Sequence, residues 1–461
     1  MTALTAGIFK AYDIRGIVDK TLTDEVVERI GTAIGGLALE RGASRCAVGR
    51  DGRLSSPKLA RALMRGLRTA GIDVIDIGLA TTPLLYFAAH HMAEGTGVQI
   101  TGSHNPPEYN GLKMMVAGKT LYGDDIQTLH ERAQDPTAYA AYGRQGAVSQ
   151  DHPFERYLRE VTGDVKVARP MKIAIDAGNG VAGAFAPQLY RAMGCEVQEL
   201  YCEVDGTFPN HHPDPAHPEN LQELIRAVQE GDAEIGLAFD GDGDRLGVVT
   251  KTGNIVWPDR QLMLFARDVL RARPGSQVIF DVKCSAHVAR TVREAGGEPL
   301  MWRTGHSLIK AKLKETKAPL AGEMSGHIFF NDRWPGFDDG LYAGARLMEI
   351  LSREADPSAV LDALPQSRST PELQVPVAEG ENHALVTRMQ EQASFPGSTE
   401  VITIDGLRVE YPDGFGLVRA SNTTPVLVCR FESDTDEGLA RIQSALRDAV
   451  LAAKPDAKLP F

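Results

Sequence analysis

Asp240-Gly241-Asp242-Gly243-Asp244-Arg245 places three carboxylates at alternate positions, directly after the apolar run Ile235 to Phe239. Carboxylates this close repel and raise one another's pKa unless a cation sits among them. The intervening glycines let the backbone turn tightly enough for the three oxygens to converge. An all-oxygen ligand set of this kind selects Mg²⁺ or Ca²⁺. It does not fit an EF-hand loop, whose sixth position would be Arg245 rather than Gly and whose twelfth would be Lys251 rather than Glu.

Three further stretches carry chemistry. In Thr101-Gly102-Ser103-His104-Asn105-Pro106 a serine follows an apolar run and stands beside an imidazole. It reads either as a nucleophile or as a turn-capping serine, and it is not the G-x-S-x-G elbow of a hydrolase. Lys113, ten residues on, can neutralise a phosphoryl group. Gly322-Glu323-Met324-Ser325-Gly326-His327 offers Glu323 and Ser325 for sugar hydroxyls, with His327 as ligand, base or structural histidine. Arg419-Ala420-Ser421-Asn422-Thr423-Thr424-Pro425 supplies a guanidinium fork, hydroxyls and an amide, which suits a phosphate cradle or a plain hairpin turn.

Two signals are read more blandly. Gly178 to Gly183 matches G-x-G-x-x-G, but Asp176 stands where a pyrophosphate would lie, and the ribose-binding acid is ambiguous among Glu196, Glu199 and Glu203. A dinucleotide site is therefore not expected. His211, His212 and His217 sit between Pro209 and Pro218 and read as a rigid surface loop rather than a zinc site.

The elements that must position these groups alternate between strands and helices. Cys46–Gly49 and Ile72–Ile77 read as strands around a helix over 57–70, with Leu59, Leu63, Met64 and Leu67 on one face. The loops that end strands fall into two interleaved sets. One is Val48-Gly49-Arg50-Asp51-Gly52, Ile175-Asp176-Ala177-Gly178 and Phe280-Asp281-Val282-Lys283. The other holds Ser103, Asp240 and Glu323. Their alternation predicts three similar α/β units, over 1–150, 151–253 and 254–366. From 367 to 461 the pattern changes to strands at Val401–Ile404, Leu407–Tyr411, Gly416–Arg419 and Val426–Phe431 and a closing helix bearing Leu439, Ile442, Leu446 and Val450. Asp405-Gly406 and Asp413-Gly414 are the hairpin signals between these strands, so a smaller α+β unit is expected.

A formal charge of −12 argues against a nucleic-acid partner, whose backbone is held chiefly by Lys and Arg. Five scattered cysteines give no disulfide framework. No apolar run approaches the ~18–20 residues that cross a bilayer, and no signal peptide is read. A cytoplasmic protein is expected.

Taken together, the four stretches, in their order along the chain and preceded by Phe9-Lys10-Ala11-Tyr12-Asp13-Ile14-Arg15-Gly16, resemble the α-D-phosphohexomutase superfamily. The resemblance spans nearly the whole chain. Met324 is similar to the phosphomannomutase/phosphoglucomutase form, whereas glutamine is usual in the phosphoglucosamine mutase form. The resemblance implies four domains around a central cleft. It implies that Ser103 is a phosphoserine and that Asp240, Asp242 and Asp244 bind Mg²⁺ together with it. Arg15, Lys113 and Arg245 would stabilise charge in transfer. Glu323, Ser325 and His306 would meet the sugar, and Arg419, Ser421, Asn422 and Thr423 the non-reacting phosphate. Tyr12, His104, Lys283 and His327 lie in matching stretches.

The implied reaction interconverts hexose 1-phosphates and 6-phosphates of glucose and mannose through glucose 1,6-bisphosphate or its counterpart. Lys113, His306 and His327 are the candidate bases. A phosphatase using the same serine would leave Glu323 and Ser325 without a purpose. A Ca²⁺-binding module would leave three of the four stretches unexplained. A monomer with small phosphosugar substrates is expected, with neither nucleic acid nor membrane as partner.

Overall fold

The computed structural model describes residues 4–139, 144–422 and 424–461. Four sheets follow one another along the chain.

The first three share a plan. In the second sheet, Lys172–Asp176 runs parallel to Glu196–Leu200 on one side and to Ile235–Phe239 on the other. Leu246–Thr250 then turns back antiparallel to Ile235–Phe239. In the first sheet the same places are taken by Arg45–Arg50, Asp73–Leu79, Gly97–Ile100 and Tyr109–Val116. In the third they are taken by Gln277–Asp281, Glu298–Trp302, Leu320–Gly322 and Ile328–Phe330. Each sheet thus has a strand whose two parallel neighbours lie on opposite sides. Ligands of open α/β sheets collect at the C-terminal ends of the strands flanking such a switch point. The two sets of strand-ending loops read from the sequence occupy these two positions in each sheet.

Helices cover the sheets for the reason their sequences suggest. Ser56–Thr69 buries Leu59, Leu63 and Leu67, while Met64 is only partly buried at the edge of the same cluster. The largest hydrophobic cluster runs from Ala47 to Leu364 and draws on all three sheets, so the first three units are packed on one another through a common core.

The fourth sheet is antiparallel, in the order Arg368–Ser369, Val426–Ser433, Gly414–Ala420, Leu407–Tyr411, Glu400–Ile402. The helix Asp436–Ala453 lays Ile442, Leu446 and Val450 on it, within a separate core. Among the described residues, Val282 of the third unit forms a small buried apolar cluster with Phe415 and Leu417, edged by the partly buried Ala286, Met301 and Ile404, and polar bonds flank it. Arg408 donates to the carbonyls of Val282 and Cys284 at 2.6 and 2.7 Å, and Ser285 Oγ donates to Glu432 at 2.6 Å.

Two expectations need correction. Ile255–Val256 pairs with Val248 and Val249, so the second sheet extends past the expected limit at 253. The Asp413-Gly414 hairpin turns one residue earlier, at Pro412-Asp413, and Gly414 already pairs with Tyr411 and Ser433. Gly414 is needed there because a side chain would strike the carbonyl of Glu432. No described helix is long and apolar enough to cross a membrane, and all five cysteines are free and buried.

Candidate active site

Ser103 follows the Gly97–Ile100 strand, and Asp240 follows Ile235–Phe239, the equivalent strand of the second sheet. The two strand ends meet. Ser103 Oγ donates to Asp240 Oδ2 at 3.0 Å and lies 3.1 Å from His104 Nδ1. Ser103 has φ of +48°, the left-handed region that costs an L-residue energy and recurs where structure is held for function. Gly241 must be glycine, because a Cβ there would stand 2.3 Å from the Ser103 carbonyl oxygen.

Asp240, Asp242 and Asp244 converge so that one oxygen of each lies within 4.8 Å of the others. All three are wholly buried. Burial, then Asp242 and Asp244, push the Asp240 carboxyl well above the usual range. Lys113 Nζ stands 2.8 Å from Asp242 Oδ2 and also pairs with Asp244. Thr82 Oγ1 donates to Asp242 at 2.6 Å. Asp242 Oδ1 and Asp244 Oδ1 are buried without hydrogen-bond partners. Three buried carboxylates, two of them with an unpartnered oxygen, next to a serine hydroxyl, fit a hard divalent cation. A second trio, Asp244, His327 and Asp338, is equally close and shares Asp244 with the first, but its other carboxylate, Asp338, is paired with Lys310 at 2.8 Å.

Cations ring this centre. Arg15, on the strand Ile14–Ile17, donates to Asp13 at 2.6 Å and to Asn105 Oδ1 at 3.0 Å. Arg245 Nε lies 4.0 Å from Asp240 and donates to His327 Nε2 at 3.1 Å. His306 and His327 stack at 5.4 Å, and Tyr12 meets His306 edge-on at 5.2 Å. Burial holds both imidazoles below the usual histidine range, His306 far below. Neither ring nitrogen of His306 has a hydrogen-bond partner among the described residues. His104 is likewise held neutral by burial, then by Arg245 and Arg15.

The sugar-facing candidates lie at the tip of the third sheet. Glu323 Oε1 accepts from the Gly305 N–H at 2.6 Å, and Oε2 is buried and unpartnered. Burial, then Asp281, push its carboxyl up to about 8. Ser325 is half-buried in the turn that follows. Arg419 of the fourth sheet pairs with Asp405 at 3.2 Å, and Asp405 also accepts from the Thr304 N–H at 2.9 Å. This links the fourth sheet to the loop that carries His306. Lys283 is bound to Glu372 at 2.5 Å across the same junction. Ser421 and Asn422 follow Arg419 at the sheet tip and are half-buried, and Thr423 lies outside the described residues.

The structure therefore brings Ser103, His104, Lys113, Arg15, Arg245, His306, His327 and the aspartate loop into one centre. It leaves Arg419 and Lys283 engaged with internal carboxylates. Several residues outside the four stretches also belong here. Asp338, wholly buried, lies 3.0 Å from His327 Nδ1, 3.7 Å from His306 Nδ1 and 2.8 Å from Lys310 Nζ. Asp51 and Arg53 lie beneath Ser103. Asp51 and Asp281 stood in the first set of strand-ending loops, which was the only signal for either.

The glycine-rich stretch at 178–183 is used for packing. Gly183 faces the Cys202 carbonyl, where a Cβ would stand at 2.2 Å, and Asp176 is paired with His211 at 2.9 Å. The His211–His217 loop does not gather into a metal cluster. His212 instead bonds the His104 carbonyl.

Four family models for phosphoglucomutase/phosphomannomutase match in succession. They are the α/β/α domains I, II and III over residues 6–140, 155–253 and 257–367, and the C-terminal domain over 372–449. The chain belongs to this family. A phosphoglucomutase of Neisseria gonorrhoeae is 59 % identical over 456 residues, 99 % of each chain. A phosphomannomutase/phosphoglucomutase of Pseudomonas aeruginosa is 53 % identical, covering 99 % of this chain and 98 % of its own. A crystal structure of a family protein from Burkholderia thailandensis is 57 % identical and superposes over the full length of both chains with a TM-score of 0.94. The three α/β units and the C-terminal sheet are thus the family's four domains, and the chain is an enzyme of that family.

Proposed function

We propose that this enzyme interconverts hexose 1-phosphates and hexose 6-phosphates of glucose and mannose, with Ser103 as the phosphoryl carrier. The observation that carries the reading is the meeting of Ser103 Oγ and Asp240 Oδ2 at 3.0 Å, at equivalent strand ends of two sheets. The serine hydroxyl is bonded to one of three clustered, buried carboxylates. This arrangement suits a serine that carries a phosphoryl group beside a bound cation.

In the forward direction, O6 of a hexose 1-phosphate attacks the phosphorus of phospho-Ser103. The O6 proton passes to an imidazole of the His306–His327 pair, the bond to Ser103 Oγ breaks, and a 1,6-bisphosphate forms. After the sugar reverses, Ser103 Oγ attacks the phosphorus on O1, the sugar O1 takes back a proton, and the 6-phosphate leaves. Mg²⁺ held by Asp240, Asp242, Asp244 and a phosphoserine oxygen would neutralise charge on the transferring group. Arg15, Arg245 and Lys113 add donors aimed at the same oxygens, which is the main task in phosphoryl transfer. Glu323 and Ser325 hold sugar hydroxyls shared by both hexoses, and Arg419, Ser421, Asn422 and Thr423 hold the phosphate that does not react.

The proposal includes a cytoplasmic monomer, with the four units divided near 150, 253 and 366 except for the added strand Ile255–Val256. Incubation with ³²P-labelled glucose 1,6-bisphosphate followed by peptide mapping tests the carrier. Label is expected on the peptide holding Ser103 and absent from Ser103→Ala. A Ser103→Ala enzyme that retains full mutase activity would refute it.

A further inference from the structure

Arg53 is among the largest fully buried side chains of the molecule. Its guanidinium lies under the Ser103 loop and donates almost entirely to backbone carbonyls. Nη2 reaches Ser103 at 2.8 Å and Asn105 at 2.5 Å, and Nη1 reaches Pro106 at 2.7 Å and Tyr109 at 3.1 Å. Asp51 completes the unit. One of its oxygens lies 3.3 Å from Arg53 Nε and accepts from the Gly102 N–H at 3.0 Å, and the other accepts from the Arg53 N–H at 3.0 Å. The Phe208 ring, from the second unit, covers the guanidinium at 5.2 Å. Gly102 lies so close that a Cβ would stand 2.4 Å from the guanidinium carbon.

We propose that Arg53 is a positioning residue for phosphoryl transfer, acting by holding Ser103 in its left-handed backbone conformation. The Ser103 carbonyl is fixed from two sides, by Arg53 on one and by Gly241 on the other. This keeps Oγ aimed at Asp240 both when the serine carries a phosphoryl group and when it is free. A lysine has the charge but a single point of donation, so it cannot span four carbonyls. The geometry makes the fork, not the charge, the property that matters. Because Arg53 is buried and faces the loop's carbonyls, the loss falls on turnover and not on binding.

This inference rests on Ser103 as the carrier, and one experiment separates the two ideas. Arg53→Lys, Arg53→Met and Ser103→Ala are compared with wild type for kcat and KM, for affinity of the dephosphorylated enzyme for glucose 1,6-bisphosphate, and for the ³¹P resonance of the phosphoenzyme. For Arg53→Lys the expected result is a kcat lowered about 10²-fold, as expected for a small misplacement of a reacting group. KM and bisphosphate affinity stay within about threefold, and the phosphoserine resonance is shifted or broadened. Added guanidinium ion restores part of the kcat of Arg53→Met. If Arg53→Met fails to fold, Arg53→Lys alone decides. An Arg53→Lys enzyme that turns over like wild type beside an inactive Ser103→Ala overturns the role of Arg53. An active Ser103→Ala overturns the carrier instead. A fall in kcat matched by an equal loss of bisphosphate affinity overturns positioning in favour of general disruption of the fold.

Discussion

Ser103 and Arg419 mark two ends of the site and are supported in different ways. Ser103 follows a strand buried in the core of the first unit, with its carbonyl clamped and its hydroxyl fixed to Asp240 of the second unit. Arg419 belongs to a sheet with a core of its own, joined to the rest by one small apolar contact and a set of polar bonds around residues 282–286. Its guanidinium is paired with Asp405, a partner that a phosphate could replace. On the proposed reading, the groups that transfer the phosphoryl group are locked, whereas those proposed to hold the other phosphate could exchange one anion for another without repacking a core. A polar junction of this kind permits domain movement more readily than an apolar one. That division suits a reaction in which the same cradle must accept a phosphate on O1 in one half and on O6 in the other.

The contrast can be broken at several points. Ser103→Ala at the locked end is expected to lower kcat by about 10⁴-fold or more, since it removes the proposed covalent carrier. Chelation, or Asp240→Asn, is expected to lower it by about 10³-fold, with Mg²⁺ restoring the chelated enzyme and not the variant. At the exchangeable end, Arg419→Ala is expected to raise KM by roughly 10- to 100-fold, the loss of charge-assisted bonds to one phosphate, while kcat changes by less than about tenfold. Equal effects on kcat at both ends would erase the distinction. Bisphosphate is expected to make the scattering profile more compact as the fourth unit turns toward the other three, and identical profiles would remove that movement.

The smallest effect concerns Glu323, between the two ends. Its carboxyl ordinarily titrates near 4.5 and is pushed up to about 8 here by burial and by Asp281. The folded state therefore binds the proton more tightly than the unfolded state. Stability from this group is present in full below 4.5 and is lost as pH rises through about 8. Relative to Glu323→Gln, the wild-type melting temperature is expected to fall between about pH 5 and pH 8.5, and parallel curves would contradict the shift.

Much of this architecture was legible in the sequence, because a strand that ends at a switch point leaves a local mark, an apolar run followed by Gly, Asp or Ser. The loops at Asp51, Asp176 and Asp281 and those at Ser103, Asp240 and Glu323 could be matched on that mark alone, and the three sheets repeat it. Asp338 and Arg53 carry no such mark. Asp338 meets His306, Lys310 and His327 only because separate segments converge on it, and Arg53 reaches carbonyls some fifty residues away. The strand Ile255–Val256 was missed for a related reason, since two residues of edge strand are too short to show a period. The G-x-G-x-x-G match shows the converse. There the glycines serve close packing against Cys202 and Gly241.

The most direct test of the central claim is ³¹P NMR of the purified enzyme with Mg²⁺, a trace of glucose 1,6-bisphosphate, and either glucose 1-phosphate or mannose 1-phosphate. The account predicts growth of the 6-phosphate resonance from both sugars with no inorganic phosphate. Release of inorganic phosphate without 6-phosphate would contradict it and make the serine a hydrolytic nucleophile.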